Sequence, residues 1–296
     1  MKRKTMYSLM AAGGVLLGAS ALCAGLLVRH HRRAGKPKPV LLVVSFGTSY
    51  NETRYLTLGA VEAAMEAAYP GYEIRRAFTS RMIINKLRER DGEEIDSVPE
   101  AMERLLSDGV REVVVQCTHV TPGFEFDEMV EQVSAMEKYF DRLTIGRPLL
   151  DTEEDFHAVA RILAGEVAAF DGEDTAIVWM GHGTAHEANA AYERMGEVFG
   201  ECGCRNHFVG TVEAKPDLED VLAAVKESGA HKVVLVPLMM VAGDHANNDM
   251  AGAGENSWKS VFEREGFAVT TVMKGLGQYE GIRQILLRHA WSAMKQ

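Results

Sequence analysis

Two histidines and a glutamate in the second half of the chain have the residue types and placement to do chemistry. They are His182 in Gly181-His182-Gly183-Thr184, Glu213 in Gly210-Thr211-Val212-Glu213, and His245 in Ala242-Gly243-Asp244-His245. Each follows an apolar run, at residues 175–180, 207–212 and 232–240 respectively. The glycines around His182 let the backbone approach a ligand closely and leave the imidazole at the strand end. Two imidazoles and a carboxylate suit Zn, Co, Fe or Ni and leave room for a donor from a substrate. A neutral imidazole, with an ordinary pKa of about 6.5, can also take up a proton. Taken singly, each is a loop histidine or a solvated carboxylate. At the ends of three strands of one sheet, they read as a cation site.

Other side chains are candidates to share that site. Aligning residues 111–115 with residues 231–235 and continuing without a gap sets Gly123 against Gly243 and Glu125 against His245. Across a cleft between two similar halves, Glu125 would face the cation from the other side and take protons or guide the ion in. It is equally an ordinary acid in the first turn of a helix, where the dipole favours it. His119 either lines the same cleft or is a hydrogen-bonded structural histidine. Ser45-Phe46-Gly47-Thr48-Ser49 offers backbone N–H groups and hydroxyls to an acidic ligand at a strand-to-helix turn. It lacks the spacing and lysine of a phosphate-binding loop, which argues against a nucleotide. His186 follows His182 by four residues, but Gly183 and Thr184 imply a turn between them, so they need not share a face. Cys202-x-Cys204, near His207, reads as a pair of surface thiols before it reads as a metal clamp.

The elements that position these residues alternate strands with helices. Residues 40–46 form an apolar strand, 53–69 a helix closed by Pro70-Gly71, and 72–78 the next strand. Helices at 82–89 and 98–106 precede a β-branched strand at 110–116, and a helix from about 125 to 140 follows the turn at Pro122-Gly123. The second half repeats the pattern, with strands at 175–180, 207–212, 232–240 and 268–273. Its helices lie at 188–198 and 218–228, after Gly254, and at 279–291. Apolar runs of this kind belong to strands buried on both faces, so the expectation is an α/β fold with parallel sheets covered by helices. Val44-Ser45-Phe46-Gly47-Thr48 aligns with Met180-Gly181-His182-Gly183-Thr184. Together with the alignment through Gly123 and Gly243, this predicts two pseudo-duplicated Rossmann-like halves, each a mostly parallel sheet flanked by helices. The expected divisions are 1–39, 40–150 and 151–296, with a ligand site in the cleft beyond the strands' carboxyl ends.

The composition bounds the function. The chain has 296 residues and a formal net charge of -10, with no Lys/Arg-rich stripe in its body, which argues against a general nucleic-acid binder. Its four cysteines are too few and too scattered for a disulfide framework. Residues 6–28 carry no charge and lie between Lys2-Arg3-Lys4 and Arg29-His30-His31-Arg32-Arg33. A run of that length can cross a bilayer, which takes about 20 apolar residues, or serve as a secretory signal with Ala19-Ser20-Ala21 as its cleavage site. The expectation is a body outside the cytoplasm, periplasmic or anchored to the membrane; the cytoplasmic face is the alternative, because basic residues flank both ends of the run and the positive-inside rule does not choose between them. Gly35-Lys36-Pro37-Lys38-Pro39 then forms a stiff linker.

Five motifs together resemble one family. They are Ser45-Phe46-Gly47-Thr48-Ser49, Gln116-x-x-His119-x-x-Pro122-Gly123-x-Glu125, Gly181-His182-Gly183-Thr184, Gly210-Thr211-Val212-Glu213 and Ala242-Gly243-Asp244-His245-Ala246-x-Asn248-Asp249-Met250. From about Val40 to the C-terminus, the chain resembles the anaerobic sirohydrochlorin cobaltochelatases of the CbiK type. The resemblance implies a chelatase-like fold with two four-stranded parallel sheets facing a tetrapyrrole cleft. It also implies a class II chelatase that inserts Co2+ into sirohydrochlorin without ATP, in anaerobic cobalamin biosynthesis. By that resemblance His182, Glu213 and His245 are the metal ligands. The matching motif at Glu125 supports a place for it in the cleft, and the expected mechanism has His182 or His245, with Glu125, accept the displaced protons. Backbone amides at Ser45, Gly47, Thr48 and Ser49, with Arg54 and His119, would hold the macrocycle. The same ligands would serve iron or nickel insertion, or a membrane-anchored tetrapyrrole or metal carrier without turnover. A zinc hydrolase using His182 and His245 is a more distant reading. A homo-oligomer is compatible with the sequence.

Overall fold

Alternation along the strands explains the architecture. In a strand, successive side chains point to opposite faces, and both faces of these strands are apolar. In strand β1 (Val40–Ser45), Val40, Leu42 and Val44 pack on one side, while Leu41 and Val43 pack on the other. In strand β5 (Thr175–Gly181), Ala176, Val178 and Met180 face one way and Ile177 and Trp179 the other. Such strands need helices on both sides, and the computed structural model, which describes residues 37–296, supplies them. Residues 6–28, expected to be a signal or anchor, lie outside the described residues. Among the described residues, no helix is long and apolar enough to cross a membrane.

The first sheet comprises β1, β2 (Glu73–Phe78), β3 (Glu112–Cys117) and β4 (Arg142–Ile145), in the order β2-β1-β3-β4. The second comprises β5, β6 (His207–Thr211), β7 (Lys232–Pro237) and β8 (Ala268–Thr271), in the order β6-β5-β7-β8. All pairings are parallel. The same order in both sheets is the pseudo-duplication expected from the aligned motifs.

Helices in chain order are α1 (Asn51–Arg54), α2 (Ala60–Ala68), α3 (Arg81–Asp91), α4 (Val98–Ser107), α5 (Phe124–Ser134), α6 (Glu153–Val167), α7 (Ala190–Glu201), α8 (Leu218–Glu227), α9 (Trp258–Arg264) and α10 (Glu280–Ala293). Helices α4 and α5 cover the outer face of the first sheet, and α8 and α9 the outer face of the second. The inner faces share one core with α2, α6, α7 and α10. The last helix returns to pack against α2 and against β3 and β4. Residues 38–296 therefore form a single compact unit rather than two separable domains.

Three local features differ from the sequence reading. The helix expected at residues 53–69 opens into a π-turn at Tyr55–Gly59, where Thr57 Oγ1 donates to the Thr53 carbonyl at 2.6 Å. The helix expected to run to residue 140 stops at Ser134. Strand β4 and helix α6 went unassigned; β4 has only four residues, all half-buried at a sheet edge, so its apolar pattern is faint.

Candidate functional site

His182, Glu213 and His245 meet at the carboxyl edge of the second sheet. One ligand atom from each lies within 4.8 Å of the other two. The two imidazole rings are perpendicular, with centroids 4.6 Å apart. His182 Nδ1 lies 3.7 Å from Glu213 Oε2. All three side chains are partly open to solvent.

The backbone sets this convergence. Gly183 has φ +84°, a region open to glycine, and a Cβ there would fall 2.7 Å from Thr211 Oγ1 and 2.8 Å from the Ala214 nitrogen. That close approach lets the N–H of Glu213 donate to the His182 carbonyl at 2.9 Å, tying one ligand's backbone to the other's. His182 Nδ1 sits 2.8 Å from the Gly183 carbonyl; a carbonyl only accepts, so Nδ1 carries the proton and Nε2 has the free lone pair. His245 immediately precedes a π-turn at Ala246–Met250, a feature frequent at functional sites.

The first half reaches this edge at two places. Tyr50 donates its hydroxyl to Asp244 Oδ1 at 3.2 Å, next to His245. Thr48 Oγ1 lies so near Gly243 that a Cβ added there would sit 3.4 Å from it. On the other side, His186 Nε2 pairs with Asp127 of α5 at 3.3 Å, and its ring meets Phe124 edge-on at 4.9 Å. His186 Nδ1 accepts from the Ala188 N–H at 3.0 Å, so this histidine braces two loops and lies outside the ligand cluster. One seam adjoins His245, and the other involves a residue just past His182 in the chain.

Glu125 is the second residue of α5, exposed, and its charge is felt by Tyr192, whose ring packs over Gly181 beside His182. It also lines a small cavity of about 40 Å³ with Thr79 and Arg81. Ser45, Thr48 and Ser49 are buried, and Ser45 Oγ accepts from the Thr118 hydroxyl at 2.9 Å. Gly47 has φ +101°, and a Cβ there would strike the Phe78 ring at 2.6 Å. In this loop Phe46, 42% exposed, is the side chain turned to the surface.

Arg54 corrects an expectation. It is only 7% exposed, donating to the Thr48 carbonyl at 3.1 Å and paired with Glu93. A guanidinium so committed braces the Ser45–Ser49 loop from behind and is not offered to an acidic ligand. His119 differs too: both ring nitrogens are buried without a hydrogen-bond partner. Burial pushes its pKa down to about 4, so it is a neutral ring, edge-on to Phe126, and presents no donor to the cleft. His207, also lowered to about 4 by burial, accepts from Trp179 Nε1 at 3.1 Å. Cys202 lies 3.7 Å from His157 Nδ1 and forms no ligand cluster with Cys204 among the described residues. Sequence reasoning gave no role to Asp249, whose Oδ2 is 2.8 Å from His245 Nδ1, or to Asp127. The spacing of four between His245 and Asp249 was a signal for the first; nothing local marked the second.

Comparison with known proteins bears on the family. The family model described as "Cobalt chelatase (CbiK)" matches residues 39–295. The sirohydrochlorin cobaltochelatase of Salmonella typhimurium is 37% identical over 266 residues, covering 87% of this chain and 97% of that protein. The sirohydrochlorin cobaltochelatase CbiKC of Nitratidesulfovibrio vulgaris is 33% identical, covering 87% and 91%. Among solved structures, SirB from Bacillus subtilis with Fe3+ superposes with a TM-score of 0.60 at 11% identity, over 87% of this chain and 96% of that one. CbiX superposes with a TM-score of 0.52 at 13% identity, over 86% and 99%; at such identities these two speak for the fold alone. A family match over nearly all the described residues, with two relatives above 30% identity, places the chain in the CbiK family of cobalt chelatases.

Proposed function

We propose that this protein inserts Co2+ into sirohydrochlorin without ATP. The observation that carries the reading is the convergence of His182, Glu213 and His245 on one open edge, in a chain whose relatives are named as sirohydrochlorin cobaltochelatases. The cation is the substrate, held by those three side chains with coordination positions left for pyrrole nitrogens. The macrocycle enters between the two halves, with Phe46 on the first-half side offering an apolar face. As the metal passes to the ring, two pyrrole N–H protons leave, so charge balances: Co2+ enters and two H+ depart. Glu125 on the first half and a released imidazole on the second are the acceptors. The uncharged run at residues 6–28 supports a periplasmic or membrane-anchored location for the body.

The test is turnover of sirohydrochlorin with Co2+, followed by absorbance, in buffer without nucleotide. Product well beyond one equivalent per chain is expected. Product that stops at one equivalent would make the protein a carrier. Faster turnover with Fe2+ or Ni2+ in parallel assays would reassign the metal, which the ligand types alone do not select.

A further inference from the structure

What holds the far nitrogen of a ligating histidine decides which nitrogen meets the metal and how well it binds. For His182 that partner is a backbone carbonyl, at 2.8 Å. For His245 it is a side chain, Asp249, whose Oδ2 lies 2.8 Å from Nδ1. An ionised carboxylate only accepts, so His245 Nδ1 carries the proton and Nε2 has the free lone pair. Asp249 lies outside the ligand cluster, and its four-residue offset spans the π-turn that starts just after His245. The turn therefore places a carboxylate behind the ring.

We propose that Asp249 is a positioning residue for the metal step. It fixes the ring and tautomer of His245, and its charge makes that imidazole a stronger donor, so it sets how tightly Co2+ is held before transfer. This rests on the reading of His182, Glu213 and His245 as the holders of substrate Co2+. A carboxylate serving only as a solvated residue of a short turn would leave Co2+ binding untouched.

The experiment compares Asp249→Ala, Asp249→Asn and Asp249→Glu in the full chain. The Co2+ dissociation constant is measured by competition with a fluorescent chelator in the absence of tetrapyrrole, and steady-state insertion is measured against Co2+ concentration. Asp249→Ala should weaken Co2+ binding by about 10- to 100-fold, the usual cost of losing such a partner. KM for Co2+ should rise in step while KM for sirohydrochlorin stays put. Asp249→Asn, which keeps an acceptor oxygen without the charge, should fall between Ala and wild type, and Asp249→Glu should recover part of the loss. A wild-type dissociation constant in Asp249→Ala overturns the proposal. Should that variant lose its fold by circular dichroism, the isosteric Asp249→Asn decides instead: weakened binding supports the proposal and unchanged binding overturns it. Because the constant is read without tetrapyrrole, a wild-type protein that binds Co2+ but does not turn over would count against the proposed function and leave this result standing.

Discussion

In the first half, the N–H of Thr79 donates to the Ser45 carbonyl at 2.9 Å; in the second, Val212 donates to Gly181 at 3.1 Å. One residue on, Ser80 donates to Phe46 at 3.2 Å and Glu213 to His182 at 2.9 Å. On the neighbouring strand, Thr118 donates to Val44 and Leu238 to Met180, both at 2.8 Å. Gly47 and Gly183 both take positive φ, +101° and +84°. The backbone at the two sheet edges is thus one frame used twice. On it, Phe46, Ser80 and Glu125 occupy the places that His182, Glu213 and His245 occupy in the second half. Ser80 spends its hydroxyl capping α3, accepting from the Ile83 N–H at 3.4 Å. The frame is shared by the two halves, but among the described residues only the second carries on it a set of side chains that could hold a cation. On the proposed function, the other half shapes the cleft and, through Glu125, takes protons.

That division is broken most forcefully by removing a ligand. His182→Ala or His245→Ala should lower kcat/KM for insertion by more than about 100-fold, because losing a ligand must cost more than the 10- to 100-fold loss from removing a ligand's orienting partner. Thermal melting should shift little, since both side chains are partly exposed. Near-normal turnover in both variants would remove the second half as the metal holder. Next in size, Glu125→Gln should cut kcat by about 100-fold, the lower range of general-base effects, with the Co2+ dissociation constant unchanged. A loss of Co2+ affinity in that variant would make Glu125 a ligand and spread the metal site over both halves.

The smallest effect concerns the buried neutral histidines, His119 in the first half and His207 in the second. Burial lowers both to about 4, whereas an unfolded histidine titrates near 6.5. The unfolded chain therefore binds the extra protons, and stability present above about pH 6.5 is lost as pH falls towards 4, by up to roughly 1.4 kcal/mol per pH unit for each ring. Denaturant melts across that window should show a shallower slope for His119→Gln and for His207→Gln, each by a similar amount. A slope that responds to one variant and not the other would show that the two rings are not buried alike.

Legibility from sequence followed the same contrast. The three candidate ligands were legible because each follows an apolar strand, His182 and Glu213 closely and His245 after a longer loop, and strand ends on one side of a parallel sheet must lie together. Glu125 was a candidate only through the alignment of the halves. Arg54 was misread because its sequence position, just past a Gly-Thr-Ser loop, says nothing about Glu93, the distant acid that draws it inward. His119 was ambiguous for a like reason: a histidine at a strand end is exposed or buried according to what packs over it, and here both nitrogens are covered. The seam pairs Tyr50–Asp244 and Asp127–His186 join residues far apart in the chain and left no local signal.

The sequence by itself determined the strands, the repeated frame and the ligand types, because hydrophobic period and strand-end glycines are local properties that survive any packing. Only the tertiary structure decided that α10 returns to pack on β3 and β4 of the first sheet, that Arg54 faces inward, and that Asp249 stands behind His245. Those outcomes depend on distances between residues far apart in the chain, or on the turn geometry of a few residues, and neither burial nor hydrogen-bond partners can be read from the order of residues alone.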